Sequence, residues 1–125
     1  MSPSVRLALF ATLYNPPDIT LWLRYHVRVV NVSRFYLHLD GDALTTANLD
    51  ARIQAVLGAE DGNVSGKTWT HRPPPITEDA GRALWSRHEQ AAALALDYAR
   101  ADECDWLARV DADELLYAPN RTSMA

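Results

Sequence analysis

The chain has one cysteine, Cys104, in 125 residues. That excludes an internal disulfide framework and any zinc site built on paired cysteines. Flanked by Glu103 and Asp105, and not by the positive charges that activate a thiol, Cys104 reads as a structural residue and not a nucleophile. Long apolar runs are also missing. Nothing approaches the roughly 20 apolar residues of a transmembrane helix, and Met1-Ser2-Pro3-Ser4-Val5-Arg6 leads into a short apolar run with no cleavage signature, which reads as a first core strand and not a signal peptide. A cytoplasmic location, at most membrane-peripheral, is expected. The 12 Lys and Arg are interspersed among 16 Asp and Glu, for a net charge of −4, and no basic stripe marks a nucleic-acid track. Repeats and low-complexity linkers are lacking too, which leaves one domain over residues 1–125, with 120–125 as a patternless tail expected to fray.

A hydrophobic share of 48% against 22% charged residues is that of a globular chain. Val5 to Leu13 is almost uninterrupted in apolar residues, which predicts a strand buried on both faces. Asn15-Pro16-Pro17-Asp18 carries a helix-start signature, with Asn15 as cap and Pro16 at the first helical position. The helix runs to about Val30, with Ile19, Trp22, Leu23, His26 and Val30 on one face; His26 is expected there as a satisfied core histidine. Arg34 to Leu39 is aromatic and branched enough for a second strand. A helix follows over about Thr45 to Leu57, then a weaker strand from Val64 to His71. Arg72-Pro73-Pro74-Pro75 fits neither helix nor central strand and predicts an extended loop. The longest helix opens at Thr77, with His88, Ala91, Ala95 and Tyr98 on its inner stripe, and Trp106 to Val110 forms the last strand. So much alanine on that stripe predicts close packing against a sheet.

The order β-α-β-α-β-α-β predicts an α/β, Rossmann-like parallel sheet with right-handed crossovers and helices on both faces. All strand exits then share one edge, where open α/β sheets bind ligands. Two of those exits carry Asp-x-Asp: Asp40-Gly41-Asp42 and Asp111-Ala112-Asp113. With eleven Asp in the chain, that spacing arises by chance about once, so the spacing alone means nothing. Convergence of the acidic exits on one edge is what singles them out.

The sequence resembles a family through Leu21-Trp22-Leu23-Arg24-Tyr25-His26, Arg34-Phe35-Tyr36-Leu37, Gln90-Ala91-Ala92-Ala93 and, above all, Asp105-Trp106-Leu107-x-x-Val110-Asp111-x-Asp113-Glu114-Leu115-Leu116. These are similar to the motifs of family-92-type glycosyltransferases and their bacterial family-2-like relatives, over about Leu7 to Pro119. The resemblance implies a GT-A fold with strand order 3-2-1-4, a nucleotide-sugar donor, and Mn²⁺ or Mg²⁺ held by the Asp-x-Asp pair. It makes Asp113 the direct metal ligand, puts Asp111 near the metal or the ribose, gives Glu114 a supporting place, and sets Asp40 against the nucleoside. Arg82 and Arg87, early in the longest helix, are candidates for the diphosphate, although a solvated or salt-bridged role on a partly exposed helix is the favoured reading for both. The chain departs from the family in reading Asn15-Pro16-Pro17-Asp18 where Asn-Glu is usual. The resemblance also implies that this is the N-terminal, nucleotide-binding half of such an enzyme. Apolar surface near Leu115, Leu116 and Tyr117 is then expected to be exposed and to favour self-association.

The chemistry follows from charge. As a nucleotide-sugar bond breaks, negative charge builds on the diphosphate, and a divalent cation neutralises it with one or two carboxylate ligands, the phosphates completing the shell. Glu89 and Glu114 stand as bases with no geometric ground for choosing between them, and the acceptor, whether glycan, lipid or protein, is open. The principal alternative is a non-catalytic nucleotide-binding or interaction module derived from such an enzyme. A haloacid-dehalogenase-type phosphatase fits less well: it expects Thr or Val where Leu115 stands, and its acidic strand comes first, not last. An α/β domain whose surface acids serve only solubility is the remaining possibility.

Overall fold

The computed structural model describes residues 6–60, 63–70 and 80–116, with side chains of the last helix from His88 onward. Its elements are β1 (Leu7–Leu13), α1 (Ile19–Arg28), β2 (Arg34–Leu39), α2 (Ala43–Gly58), β3 (Ser65–Thr70), α3 (Ala80–Ala101) and β4 (Trp106–Arg109). The four strands form one sheet in the order β3-β2-β1-β4. Every pairing is parallel, with Leu13 opposite Leu39 and Phe10 opposite Arg109. This is the expected α/β, Rossmann-like sheet, with β1 in its interior.

Alternation along the central strands feeds two cores. Leu9, Ala11 and Leu13 of β1 join Phe35, Leu37 and Leu39 of β2 in packing against Ile19, Trp22 and Leu23 of α1 and Ile53, Val56 and Leu57 of α2. Ala8, Phe10 and Tyr36 face the other way, onto Ala91, Ala95 and Ala99 of α3. Those three alanines are almost wholly buried; with only a methyl group each, they let the helix backbone lie close to the sheet. Cys104 belongs to this second core, its Sγ 3.6 Å from the Tyr36 hydroxyl, which accords with a structural thiol. Burial, and then hydrogen bonding to Asp102 and Cys104, pushes the Tyr36 phenol well above its usual pKa.

Helix starts differ from the sequence expectation, each for a local reason. The first helix begins at Ile19, capped by the Asp18 carboxylate, which accepts from the Leu21 N–H at 3.0 Å; Asn15 is not the cap. Asn15 has φ +45°, and a residue preceding proline is steered away from helical geometry, so Asn15-Pro16-Pro17 runs on as a turn. The second helix begins at Ala43, two residues ahead of Thr45, because Asp42 caps it through the Thr45 N–H at 2.7 Å and the Thr45 hydroxyl at 2.9 Å. That contact holds the Asp42 carboxyl below its ordinary pKa. The expected opening of α3 at Thr77, the proline loop, Tyr117 and the 120–125 tail lie outside the described residues. Among the described residues, no helix is long and apolar enough to cross a membrane.

Candidate functional site

Parallel strands bring all their carboxyl ends to one edge, and a cleft of about 640 Å³ opens there. The exit of β1 supplies Thr12, Tyr14, Asn15, Pro16 and Pro17, and β2 supplies Asp40. His88 comes from α3, while β4 and the turn after it supply Arg109, Asp111 and Asp113. Backbone hydrogen bonds set the two acidic exits on either side of β1: the Asp40 N–H donates to the Leu13 carbonyl at 2.9 Å, and the Val110 N–H to the Phe10 carbonyl at 3.0 Å. Three of the carboxylates singled out by sequence, Asp40, Asp111 and Asp113, thus line one cavity. Asp42 does not line it.

The turn after β4 is closed on itself. The Glu114 N–H donates to the Asp111 carbonyl, and the Asp111 N–H donates to the Glu114 carboxylate, each at 3.0 Å. Glu114 is therefore spent on shaping the turn. The Asp111 and Asp113 side chains are exposed and accept no hydrogen bond among the described residues. No group of three or more His, Cys, Asp or Glu among the described residues is placed to hold a metal ion. Carboxylates are hard oxygen donors, the type suited to Mg²⁺ or Mn²⁺ when phosphate and water fill the rest of the shell.

At the opposite wall, His88 Nε2 lies 3.5 Å from an Asp40 oxygen, long for a hydrogen bond. That nitrogen is shielded from solvent and makes no hydrogen bond. Behind it, the buried His38 ring stands edge-on to His88, with centroids 6.3 Å apart, and its Nδ1 is 3.4 Å from the Thr12 hydroxyl. Arg109 crosses the Phe10 ring at 5.7 Å and reaches Glu89 at 3.7 Å. Both members of that ion pair are about half exposed, so the guanidinium can turn to a ligand at little cost.

Sequence reading missed His88 and Arg109 as lining residues. His88 stood in the core stripe of the longest helix, and Arg109 stood within the expected last strand; α3 carries the first to the cavity, and the end of β4 at Arg109, opposite Phe10 and short of the end of β1, brings the second. Arg82 and Arg87 fall in the first turns of α3, where side chains lie outside the described residues. Of the apolar residues expected to be exposed there, Leu115 is 54% exposed, while Leu116 is partly buried against the α1 side of the core.

Compared with known proteins, the chain matches no family model, no curated protein and no solved structure.

Proposed function

We propose that this chain is the donor-binding part of a metal-assisted glycosyltransferase that uses a nucleotide sugar. The observation that carries the reading is the meeting of Asp40 with Asp111 and Asp113 in one cleft at the carboxyl edge of a parallel sheet. Asp40 offers an acceptor to a nucleoside at one end, with His88 beside it. Asp111 and Asp113 offer hard oxygens at the other, and Arg109 lies alongside for phosphate. Charge that builds on a departing diphosphate is neutralised there when Mn²⁺ or Mg²⁺ is bound. The location that suits this reading is the cytoplasm, free or against a membrane surface. Leu115 and Trp106, 54% and 67% exposed, are the apolar points through which self-association would run.

Calorimetric titration with manganese chloride and a panel of nucleoside diphosphates tests the reading. Binding of the diphosphate that strengthens with Mn²⁺ and disappears in Asp113→Asn is the expected result. Diphosphate binding indifferent to both metal and Asp113 would sink it. Donor binding with neither transfer nor donor hydrolysis would select the non-catalytic nucleotide-binding module instead.

A further inference from the structure

The acidic turn has no regular secondary structure, yet its backbone is held at four points by one face of α1. Trp22, Tyr25 and His26 stand at the i, i+3 and i+4 positions of that helix, a spacing that sets them side by side. The Trp22 indole N–H donates to two carbonyls, Asp111 at 3.2 Å and Glu114 at 2.8 Å. The Tyr25 hydroxyl donates to the Leu116 carbonyl at 2.9 Å. The Leu116 N–H in turn donates to His26 Nε2 at 3.0 Å. His26 can accept there only as a neutral ring, and its Nδ1, 2.8 Å from the Trp22 carbonyl, carries the proton. Burial fixes that state, lowering the His26 pKa from its ordinary value.

Every atom grasped on the turn belongs to the main chain, so α1 fixes the path of the backbone and leaves the Asp111 and Asp113 carboxylates free. Two like charges carried on one short turn repel when no cation lies between them. A turn left to itself would relieve that repulsion by opening, and a cation would then have to close it again. A preformed site spares that reorganisation.

We propose that Trp22, Tyr25 and His26 are positioning residues that hold Asp111 and Asp113 in register for a shared divalent cation before it arrives. The inference rests on the metal-assisted reading of the cleft, and two separate readouts keep the two apart. One is the exchange rate of the Glu114 and Leu116 backbone amides in the metal-free protein; the other is the affinity for manganese chloride, alone and with a nucleoside diphosphate. Tyr25→Phe removes one O–H and keeps the ring. His26→Leu removes the acceptor, whereas His26→Gln restores an acceptor close to the place of Nε2.

Tyr25→Phe and His26→Leu are expected to speed exchange at Leu116 at least tenfold and to weaken Mn²⁺ three- to tenfold, with cooperative melting retained. His26→Gln should recover most of both. Unchanged Leu116 exchange in Tyr25→Phe and His26→Leu would overturn the proposal. So would Mn²⁺ affinity that stays at the wild-type level once the turn has loosened. If the wild-type chain binds no Mn²⁺, the metal reading falls, and positioning of a metal site falls with it. The exchange data would then show only whether α1 orders the turn. Should His26→Leu fail to fold, Tyr25→Phe carries the test alone.

Discussion

Asp40-Gly41-Asp42 and Asp111-Ala112-Asp113 share a spacing, lie at the same edge of the same sheet, and follow the two strands that flank β1, yet they are put to different use. In the first, Gly41 at φ +137° turns the chain, and the second carboxylate folds forward onto Thr45 to start α2. Only Asp40 is left facing the cleft. In the second, the turn closes through the Glu114 carboxylate and through α1, so both aspartates stay available. What a carboxylate can bind is decided by whether its own backbone neighbours have already claimed it.

The largest effect that sharpens this contrast is expected from Asp113→Asn. It should abolish the rise in melting temperature given by Mn²⁺ with a nucleoside diphosphate, a rise worth about 2.7 kcal/mol when the ligand stands at a hundred times its Kd. Asp111→Asn should reduce the rise without removing it. Asp42→Asn should leave it intact, since asparagine also caps helices well, while Asp42→Ala should lower the unliganded melting temperature and still spare the ligand-induced gain. Thermal melts with and without ligand check all four, and a loss in Asp42→Asn equal to that in Asp113→Asn would break the comparison.

Next in size is the response to acid. His26 is held neutral, with a folded-state pKa below 6.5, so the unfolded chain takes up its proton first. Stability from this group is complete above about pH 6.5 and is lost as pH falls toward the lowered folded value. Asp42, whose folded pKa lies below 3.8, contributes stability that is complete above that value and is lost as pH falls through the lowered one. Chemical denaturation across pH 3 to 8 should therefore show two separate declines. His26→Gln should flatten the upper and Asp42→Asn the lower; loss of both declines in either variant would contradict the assignment.

The smallest expected effect is that of Arg109→Gln. Its half-exposed pair with Glu89 is screened by solvent, so stability should change by less than about 0.5 kcal/mol. Affinity for a nucleoside diphosphate should still drop severalfold, with affinity for Mn²⁺ alone unchanged. A matching loss for Mn²⁺ alone would mean that Arg109 orders the acidic turn and does not meet phosphate.

Much of this architecture was readable from residue order. The apolar run of β1 and the alternation of strand and helix patterns lead to an interior parallel strand, and the alanines of α3 announce close packing. The acidic residues at the strand ends led to the cleft. The proline pair misled the reading of α1, because two adjacent prolines oppose each other's helical geometry and the sequence signal for capping does not register that. The grip of α1 on the acidic turn left no trace either. Trp22, Tyr25 and His26 look like an ordinary buried face, and their partners are main-chain atoms about 90 residues away, which carry no side-chain identity to read. His88 and Arg109 escaped for a related reason, since their place in the cleft depends on how α3 lies on the sheet and on where β4 ends relative to β1.

The pairing of β4 with β1 has a consequence in time. Arg6 and Asp105, hydrogen-bonded at the foot of that pairing, are 99 residues apart, so the strand that delivers the acidic turn joins the sheet only after nearly the whole chain has been gathered in. Contacts of such long sequence separation meet the closure entropy of a large loop before they return any stability. β1 and β2, linked through a single helix, should be protected first in pulse-labelled exchange during refolding, with the Val110 amide following later. Protection at Val110 ahead of the β1–β2 amides would contradict that order. In that order of events the cleft forms after the β1–β2 core, and a chain caught partway through folding would hold an assembled core with no place to bind.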